Sequence, residues 1–124
     1  MNKLTAKSEK PKIKVALIVD EYFGALDTAY GGYGFLARRY ISKYLPDSEI
    51  EIEVLLGKGK YNFKSEANVV DGINVYKLPR RKWFASHWLS KKDYSIYLSI
   101  ELTYSYVLEC EKNIDKKLIL WIQD

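Results

Sequence analysis

The 124-residue sequence contains few of the residues that build cross-linked or metal-clustered folds. It has one cysteine, Cys110, and one histidine, His87. A lone cysteine excludes an internal disulfide and a cysteine-cluster metal site, so we predict no metal. No stretch approaches the roughly 20 apolar residues of a membrane-spanning helix. Residues 1–11 are polar and lysine-rich; they lack the apolar centre of a signal peptide and predict a disordered leader before a single cytoplasmic domain, residues 12–124.

The charge is modest overall and unevenly distributed. The formal net charge of +4 is too small by itself to imply a nucleic-acid partner, and we predict none. Residues 58–92, however, carry nine Lys or Arg against two acids, a net of +7, which leaves −3 for the rest of the chain. Aromatic residues make up 15% of the sequence, and eleven of them are tyrosines. Such a content suggests aromatic-lined surfaces.

The sequence opens on a strand–loop–helix pattern. Residues 13–20 include five consecutive apolar side chains without alternation, which predicts a strand covered on both faces, as in parallel sheets. A loop with three glycines follows over residues 21–32. Apolar and aromatic residues then recur at steps of three and four and predict one face of a helix that stops before Pro46. That face comprises Tyr33, Leu36, Ala37, Tyr40, Ile41 and Tyr44.

Four further strands are predicted after this helix. Residues 49–54 alternate charged and apolar side chains, which predicts a half-buried, peripheral strand. The other strands are residues 73–78, 94–100 and 118–122. A helix is predicted over 101–113, with Tyr104, Val107 and Leu108 on one face. Segment 60–72 is predicted to be a polar, irregular connection, and segment 80–92 a basic and aromatic connection.

This order of elements predicts an α/β fold with a mostly parallel sheet. The last strand, residues 118–122, is a continuous apolar run that no helix follows in the sequence. A buried strand in such a sheet needs a covering helix. We therefore expect the domain to be truncated after its fifth strand and to belong to a larger protein.

The turn Gly31-Gly32-Tyr33-Gly34 lies where the ligand crevice of an open α/β sheet is expected. One interpretation is a backbone that approaches a ligand closely and offers amides to an anionic or hydroxyl group. The other is a tight turn that lets the helix sit close to the strand. The dinucleotide fingerprint is not met, because no glycine follows the strand directly, and the phosphate-loop pattern is absent.

Acidic residues follow three of the predicted strands. They are Asp20 and Glu21 after the first strand, Glu101 after the fourth and Asp124 after the fifth. The carboxyl ends of parallel strands meet at one rim, where a carboxylate can act as a general base toward a hydroxyl. We take Glu101 and Asp124 as the catalytic candidates. The same acids also suit helix caps and turns.

Residues 80–92 interleave cations with aromatic side chains. Arg80, Arg81, Lys82 and Trp83 are candidate contacts to an anionic membrane surface or a phosphate-bearing acceptor. Stacking on single-stranded nucleic acid fits the same pattern. Alternatively, the aromatic side chains anchor a connection to the core while its cations stay in water.

Several of these features, in this order, resemble the N-terminal domain of a GT-B glycosyltransferase of the large retaining group called family 4. They are Lys12-Ile13-Lys14-Val15-Ala16-Leu17-Ile18-Val19, Gly31-Gly32 before a helix, Asp71-Gly72-Ile73-Asn74-Val75-Tyr76-Lys77-Leu78-Pro79, and Leu118 to Asp124. The Asp-Gly-apolar-x-Val-Tyr-x-Leu-Pro segment carries the most weight. The resemblance covers essentially the whole chain after residue 11.

The resemblance implies a Rossmann-like, acceptor-side domain that is inactive alone. The missing C-terminal domain would bind the nucleotide-sugar donor, and no other cofactor is implied. The glycine loop would lie near the donor diphosphate and the reacting sugar, which implicates Gly31, Gly32 and Tyr33 in substrate binding. The full enzyme would transfer a sugar to a glycan or lipid-linked acceptor, with peripheral contact at the inner face of the membrane. Many relatives have a histidine near the end of the last strand, which this sequence lacks.

Two other classes stay open. A non-catalytic α/β interaction module would bind an anionic membrane or a partner protein through residues 80–92. A flavodoxin-like or receiver-like domain fits less well, since it needs an acid cluster or a phosphate loop right after the first strand and the long loop Glu21–Gly32 fits neither. The glycosyltransferase hypothesis predicts that the reading frame continues beyond Asp124.

Overall fold

The computed structural model describes residues 12–100, 105–111 and 118–121 of the chain. In these ranges one sheet contains β1 (Ile13–Ile18), β2 (Ile50–Lys58), β3 (Glu66–Val70), β4 (Ile73–Leu78), β5 (Ile96–Ile100) and β6 (Leu118–Trp121). The helices are α1, which runs through Gly32–Phe35, Leu36–Ile41 and Ser42–Tyr44, then α2 (Lys82–Lys92) and α3 (Tyr106–Cys110). The leader predicted for residues 1–11 lies outside the described residues.

The strands are ordered β3-β4-β2-β1-β5-β6 across the sheet. The neighbouring pairs are parallel except for the β3–β4 hairpin. When only the parallel strands are numbered along the chain, their order is 3-2-1-4-5, which is that of the Rossmann fold. The structure thus confirms the predicted α/β, Rossmann-like, mostly parallel sheet with flanking helices.

Both faces of β1 are buried, which explains why its apolar run does not alternate. Leu17 and Val19 belong to the core cluster that Ala37 of α1 joins. Ala16 and Ile18 belong to the cluster built with α2 and α3. The central strand therefore separates two helical layers, and α1 lies on the opposite face of the sheet from α2 and α3.

The middle of α1, Leu36–Ile41, is a π-helix, and this changes which side chains are buried. A π turn holds more residues than an α turn, so the face predicted from α-helical spacing is displaced. Ala37 and Ile41 are buried as predicted. Tyr40 within the π segment and Tyr44 after it were predicted on the same face but are exposed instead. Tyr33, which precedes the π segment, is exposed as well. Tyrosine side chains therefore line the outer surface of α1.

β2 is an interior strand, and the prediction of a peripheral strand was wrong. It lies between β1 and β4 and pairs in parallel with both. Its alternating glutamates are the pattern typical of a strand with one solvent-exposed face, but Glu53 is only 5% exposed. The Tyr94 hydroxyl donates to Glu53 Oε1 at 2.7 Å, and Lys92 Nζ lies 3.2 Å from the same oxygen. These partners make burial of the carboxylate tolerable.

Two regular elements occupy segments that were predicted to be connections between elements. β3 lies within residues 60–72 and pairs with β4 across the turn Asp71-Gly72. Both turn residues have positive φ, 53° and 81°, as a two-residue type I′ hairpin requires. Most of segment 80–92 is the helix α2, in which Ala85 and Leu89 are buried one turn apart.

The predicted elements near the end of the chain are partly described. α3 lies within the helix predicted over 101–113, Val107 is buried, and the Ser105 hydroxyl caps the helix by accepting a hydrogen bond from the Leu108 amide. Tyr104 lies outside the described residues. β6 forms where the last strand was predicted and pairs with β5. The apolar side chains at its start, Leu118 and Ile119, are nevertheless exposed.

Candidate functional site at the topological switch point

The loop after β1 lies at the point where the strand order of the sheet reverses. β1 is flanked by β2, which follows it in the chain, and by β5, which begins the other half of the sheet. In open α/β sheets the ligand crevice lies outside the carboxyl ends of the two strands at this switch point. The loop that follows Val19 and leads to Gly31 therefore lies where a ligand site is expected.

This loop is held by its own hydrogen bonds. The Tyr22 amide donates to Thr28 Oγ1 at 2.8 Å, and that hydroxyl donates in turn to the Ala25 carbonyl at 2.7 Å. The Gly24 amide donates to the Ala29 carbonyl at 3.0 Å. Gly24 has a φ of +87°, and a Cβ there would lie 2.3 Å from the Tyr30 ring. The loop thus has a defined shape that a side chain at position 24 would disturb.

A carboxylate from this loop occupies the start of α1. Glu21 Oε2 accepts a hydrogen bond from the Gly34 amide at 3.1 Å. A Cβ on Gly31 would lie 2.0 Å from the same oxygen, and a Cβ on Gly34 would lie 2.6 Å from the Phe23 backbone nitrogen. Gly34 is therefore required by close packing against the loop backbone, whereas a side chain at Gly31 would displace the flexible Glu21 carboxylate. At Gly34 the structure thus supports the interpretation that the glycine turn allows a close approach.

Gly32 differs from these two glycines. It is exposed, and a Cβ there would meet no atom within 4 Å. Tyr33, the next residue, is also exposed. The structure brings the predicted substrate-binding residues Gly31, Gly32 and Tyr33 together at the start of α1, where Gly32 leaves the backbone accessible.

A stripe of aromatic rings leads away from the loop along α1. Phe23 contacts both Tyr30 and Phe35 edge to face, with centroids 5.2 and 5.1 Å apart. Phe35 contacts Tyr40 at 5.7 Å, and Tyr40 contacts Tyr44 at 6.4 Å. The sequence prediction placed the two α1 tyrosines of this stripe on the same helical face as the buried Ala37 and Ile41, because the change to π-helical spacing has no obvious signal in the residues.

An open groove of about 630 Å³ runs beside this stripe. It lies between α1 and the β3–β4 turn and is lined by Phe35, Arg38, Arg39, Tyr40, Ser42, Lys43, Tyr44, Pro46, Asp71 and Ile73. Its volume is in the range of small-molecule sites. We call it the α1 groove. Its aromatic side chains and cations suit the binding of a ring that carries polar groups.

One ion pair closes the far wall of the α1 groove. Arg38 Nε lies 2.8 Å from Asp71 Oδ2, and a second guanidinium nitrogen donates to the Phe23 carbonyl at 3.1 Å. The hydrogen bond from Arg38 lowers the pKa of Asp71. Arg38 therefore ties together the loop, α1 and the hairpin turn. Arg39 and Lys43 form no ion pair with any described residue.

Only two of the four acids predicted at strand ends lie among the described residues. Asp20 is exposed at the end of β1, and Glu21 is engaged with Gly34 as described. Glu101 and Asp124, the two catalytic candidates, lie outside the described residues. Their predicted convergence with the glycine loop at one rim therefore stays a prediction.

A second surface contains the predicted basic and aromatic residues together with a loop that sequence reasoning overlooked. Trp83 is 65% exposed and packs against Phe84, and Phe84 packs against Phe63, which is 62% exposed. Trp83 also stacks on His87 at 5.4 Å. Lys82 pairs with Glu109 at 2.8 Å. Exposed aromatic residues flanked by lysines at 60–64 are the signal that would have identified this loop.

Among the described residues, no group of three or more His, Cys, Asp or Glu side chains could hold a metal ion. Within the same ranges, no helix is long and apolar enough to cross a membrane. Cys110 is buried, and this burial raises the pKa of its thiol. Comparisons with protein-family models, curated proteins and solved structures gave no match to this chain.

Proposed function

We propose that this chain forms the acceptor-side, Rossmann-like domain of a GT-B-type glycosyltransferase. The complete enzyme transfers a sugar from a nucleotide-sugar donor to a hydroxyl of a glycan or lipid-linked acceptor. A second domain, on a longer polypeptide or a separate subunit, binds the donor. The observation that carries the proposal is the position of the glycine loop at the switch point of a 3-2-1-4-5 sheet, where such folds bind their ligands.

The Glu21 carboxylate supports an acceptor-side role for this loop. This carboxylate already accepts a hydrogen bond from the Gly34 amide, and backbone amides at the start of a helix are the donors that bind phosphate groups. A diphosphate bound there could not use the Gly34 amide as a donor, and the negative charge of Glu21 would repel it. Donor phosphates are therefore expected to bind mainly on the second domain, while the uncharged hydroxyls of a sugar can approach the open backbone at Gly32.

The α1 groove supports an extended acceptor. The aromatic stripe connects the loop at Phe23 to the end of α1 at Tyr44. Tyrosine rings offer an apolar face together with a hydroxyl, a combination suited to sugar rings. In this proposal the reacting hydroxyl lies at the glycine loop, and the rest of the acceptor follows the groove.

Amide NMR spectra of the 124-residue chain test this proposal. The probes are a panel of neutral hexasaccharides and the common nucleotide sugars. We expect hexasaccharide-induced shifts at Gly32, Tyr33 and Tyr40, none at Val69 on the exposed edge strand β3, and no turnover of any nucleotide sugar. The variant Tyr40→Ala should weaken the hexasaccharide effect, whereas Val69→Ala should leave it unchanged.

The reading frame downstream of Asp124 gives an independent test. We expect it, or a partner subunit, to encode a second glycine-rich α/β unit. Turnover of a nucleotide sugar by the 124-residue chain alone would contradict the proposal.

A further inference from the structure

The exposed aromatic residues at the start of α2 form a continuous surface with the loop after β2. Phe63, Phe84 and Trp83 are linked by ring contacts at 4.9 and 5.0 Å. Two backbone hydrogen bonds fix this loop to the start of the helix: Arg80 N donates to Tyr61 O at 2.8 Å, and Arg81 N donates to Asn62 O at 3.1 Å. We call residues 60–64 with the exposed face of α2 the basic-aromatic surface.

The aromatic side chains of this surface do not anchor the segment to the core. The buried contacts of α2 come from Ala85 and Leu89. Trp88, which is partly buried, packs against Tyr76 at 5.0 Å. Trp83 and Phe63, by contrast, expose most of their surface. Exposed rings in contact with one another form an apolar patch that marks an interaction site more often than a packing requirement.

Cations surround this patch. Lys60 and Lys64 lie over the Tyr61 ring at 5.4 and 4.7 Å. Arg81 is exposed two residues before Trp83 in the sequence, and Lys91 lines a depression of about 420 Å³ with Phe63 and Phe84. Among the described residues, none of these four cations forms an ion pair. The surface therefore combines apolar rings with cations that no ion pair among the described residues neutralises, although the Glu66 carboxylate accepts a hydrogen bond from the Lys60 amide at 2.8 Å.

We propose that the basic-aromatic surface docks on an anionic phospholipid bilayer. Aromatic side chains bind at the headgroup level, and nearby Lys and Arg are attracted by anionic lipids, so the charge and the chemistry of the surface fit this partner. An acidic protein would also match the charge. The bilayer is favoured because Trp83 and Phe63 expose most of their surface with cations around them, the combination that places aromatic rings at the headgroup level beside anionic lipids.

The position of the surface relates it to the glycine loop. Residues 60–64 follow β2 and the start of α2 follows β4, so both lie beyond the carboxyl ends of parallel strands. The glycine loop lies beyond the carboxyl end of β1, at the same rim of the sheet. If the proposed function holds, docking would bring the crevice toward the bilayer, which suits a lipid-linked acceptor and a peripheral location at the inner membrane face.

Co-sedimentation of the 124-residue chain with large vesicles tests the docking proposal. The vesicles contain phosphatidylcholine alone or with about one third phosphatidylglycerol. We expect binding to the anionic vesicles that weakens with salt. The triple variant Lys60→Ala, Lys64→Ala, Arg81→Ala should lose about fivefold in vesicle affinity for each cation removed. The pair Phe63→Ser, Trp83→Ser should lose about tenfold or more.

A matched variant on the opposite face of the sheet is the control. Arg39→Ala, Lys43→Ala and Tyr44→Ser remove cations and an aromatic ring from α1 and should leave vesicle binding unchanged. Equal loss in this variant would overturn the assignment, as would absence of binding by the wild-type chain to anionic vesicles. Thermal unfolding of each variant excludes misfolding as the cause. Because vesicles carry no sugar, the outcome is separate from that of the glycosyltransferase proposal.

Discussion

Glu21 and Gly34 join the loop after β1 to the start of α1. The carboxylate accepts a hydrogen bond from the Gly34 amide at 3.1 Å, and Gly31 passes so close that any side chain there would meet the same carboxylate. A charged acceptor at the start of a helix stabilises it through the unpaired amides and the helix dipole. The glycine loop and α1 therefore form one unit with a defined shape, and three glycines within four residues have different roles in it.

The first prediction contrasts Gly34 with Gly32. In Gly34→Ala the new Cβ would lie 2.6 Å from the Phe23 backbone nitrogen, so the loop must move, and we expect a loss of about 1–3 kcal/mol in the free energy of unfolding. Gly32→Ala meets no atom within 4 Å and should be neutral or stabilising by up to about 1 kcal/mol. Urea unfolding of both variants measures the difference. Equal stabilities would refute the close approach of loop and helix.

The second prediction concerns Gly31 and Glu21 as a coupled pair. Gly31→Ala should displace the Glu21 carboxylate from the Gly34 amide, since its Cβ would lie 2.0 Å from that oxygen. Glu21→Ala removes the same hydrogen bond directly. Each change should cost about 1 kcal/mol, the usual value of a helix cap. In the double variant no carboxylate remains to be displaced, so the total cost should stay close to that of Glu21→Ala.

A double-mutant cycle of unfolding free energies measures this coupling. Additive costs for Gly31→Ala and Glu21→Ala would mean that the two residues act independently. The control is Gly32→Ala combined with Glu21→Ala, which should be additive because Gly32 does not face the carboxylate.

The third prediction concerns the pH dependence of stability at Glu53. Burial opposes ionisation of this acid, but hydrogen bonds from Tyr94, Lys92 and Asn74 and the charge of Lys92 outweigh burial and lower its pKa. A lowered pKa in the folded state contributes stability above the unfolded value of about 4.3, and this contribution is lost as the pH falls through the lower folded value. Glu53→Gln should remove the contribution, lowering the free energy of unfolding at pH 7 by about 2 kcal/mol.

Urea unfolding between pH 7 and pH 3 provides the measurement. The difference between wild type and Glu53→Gln should be constant near neutrality and shrink below about pH 4.3. Glu51→Gln on the same strand is the control, because Glu51 is more exposed and has no ion pair within the described residues. A difference that does not change with pH would show that Glu53 does not contribute through its charge.

Much of the sheet could be predicted because short apolar runs indicate strands directly. The interior position of β2 could not be predicted, because a charged residue such as Glu53 normally indicates a solvent-exposed face. Its burial depends on the ion pair with Lys92, which is thirty-nine residues away in the sequence. β3 was missed because its residues have little apolar periodicity. Its one signal was the turn Asp71-Gly72, which fits a two-residue hairpin and would have required a strand on both sides.

The site was only partly predictable, for a related reason. The glycine turn could be located because its strand, loop and helix are consecutive in sequence. The α1 groove could not, because a π segment changes the helical period and exposes Tyr40 and Tyr44, which α-helical spacing assigns to the core. The basic-aromatic surface needed Phe63 to be placed beside Phe84, a contact between two segments that only the folded chain brings together.

The last prediction separates two tyrosines of the same layer. The Tyr22 side chain is fully buried, and its hydroxyl donates to Ser42 Oγ at 2.6 Å, so Tyr22→Phe leaves the buried Ser42 hydroxyl without this donor. We expect a loss of about 1–2 kcal/mol in the free energy of unfolding. Tyr44→Phe, at a ring that is 69% exposed, should change stability by less than about 0.5 kcal/mol. Urea unfolding distinguishes the two; if the order were reversed, Tyr44 rather than Tyr22 would face the core and the π-helical displacement of α1 would be wrong.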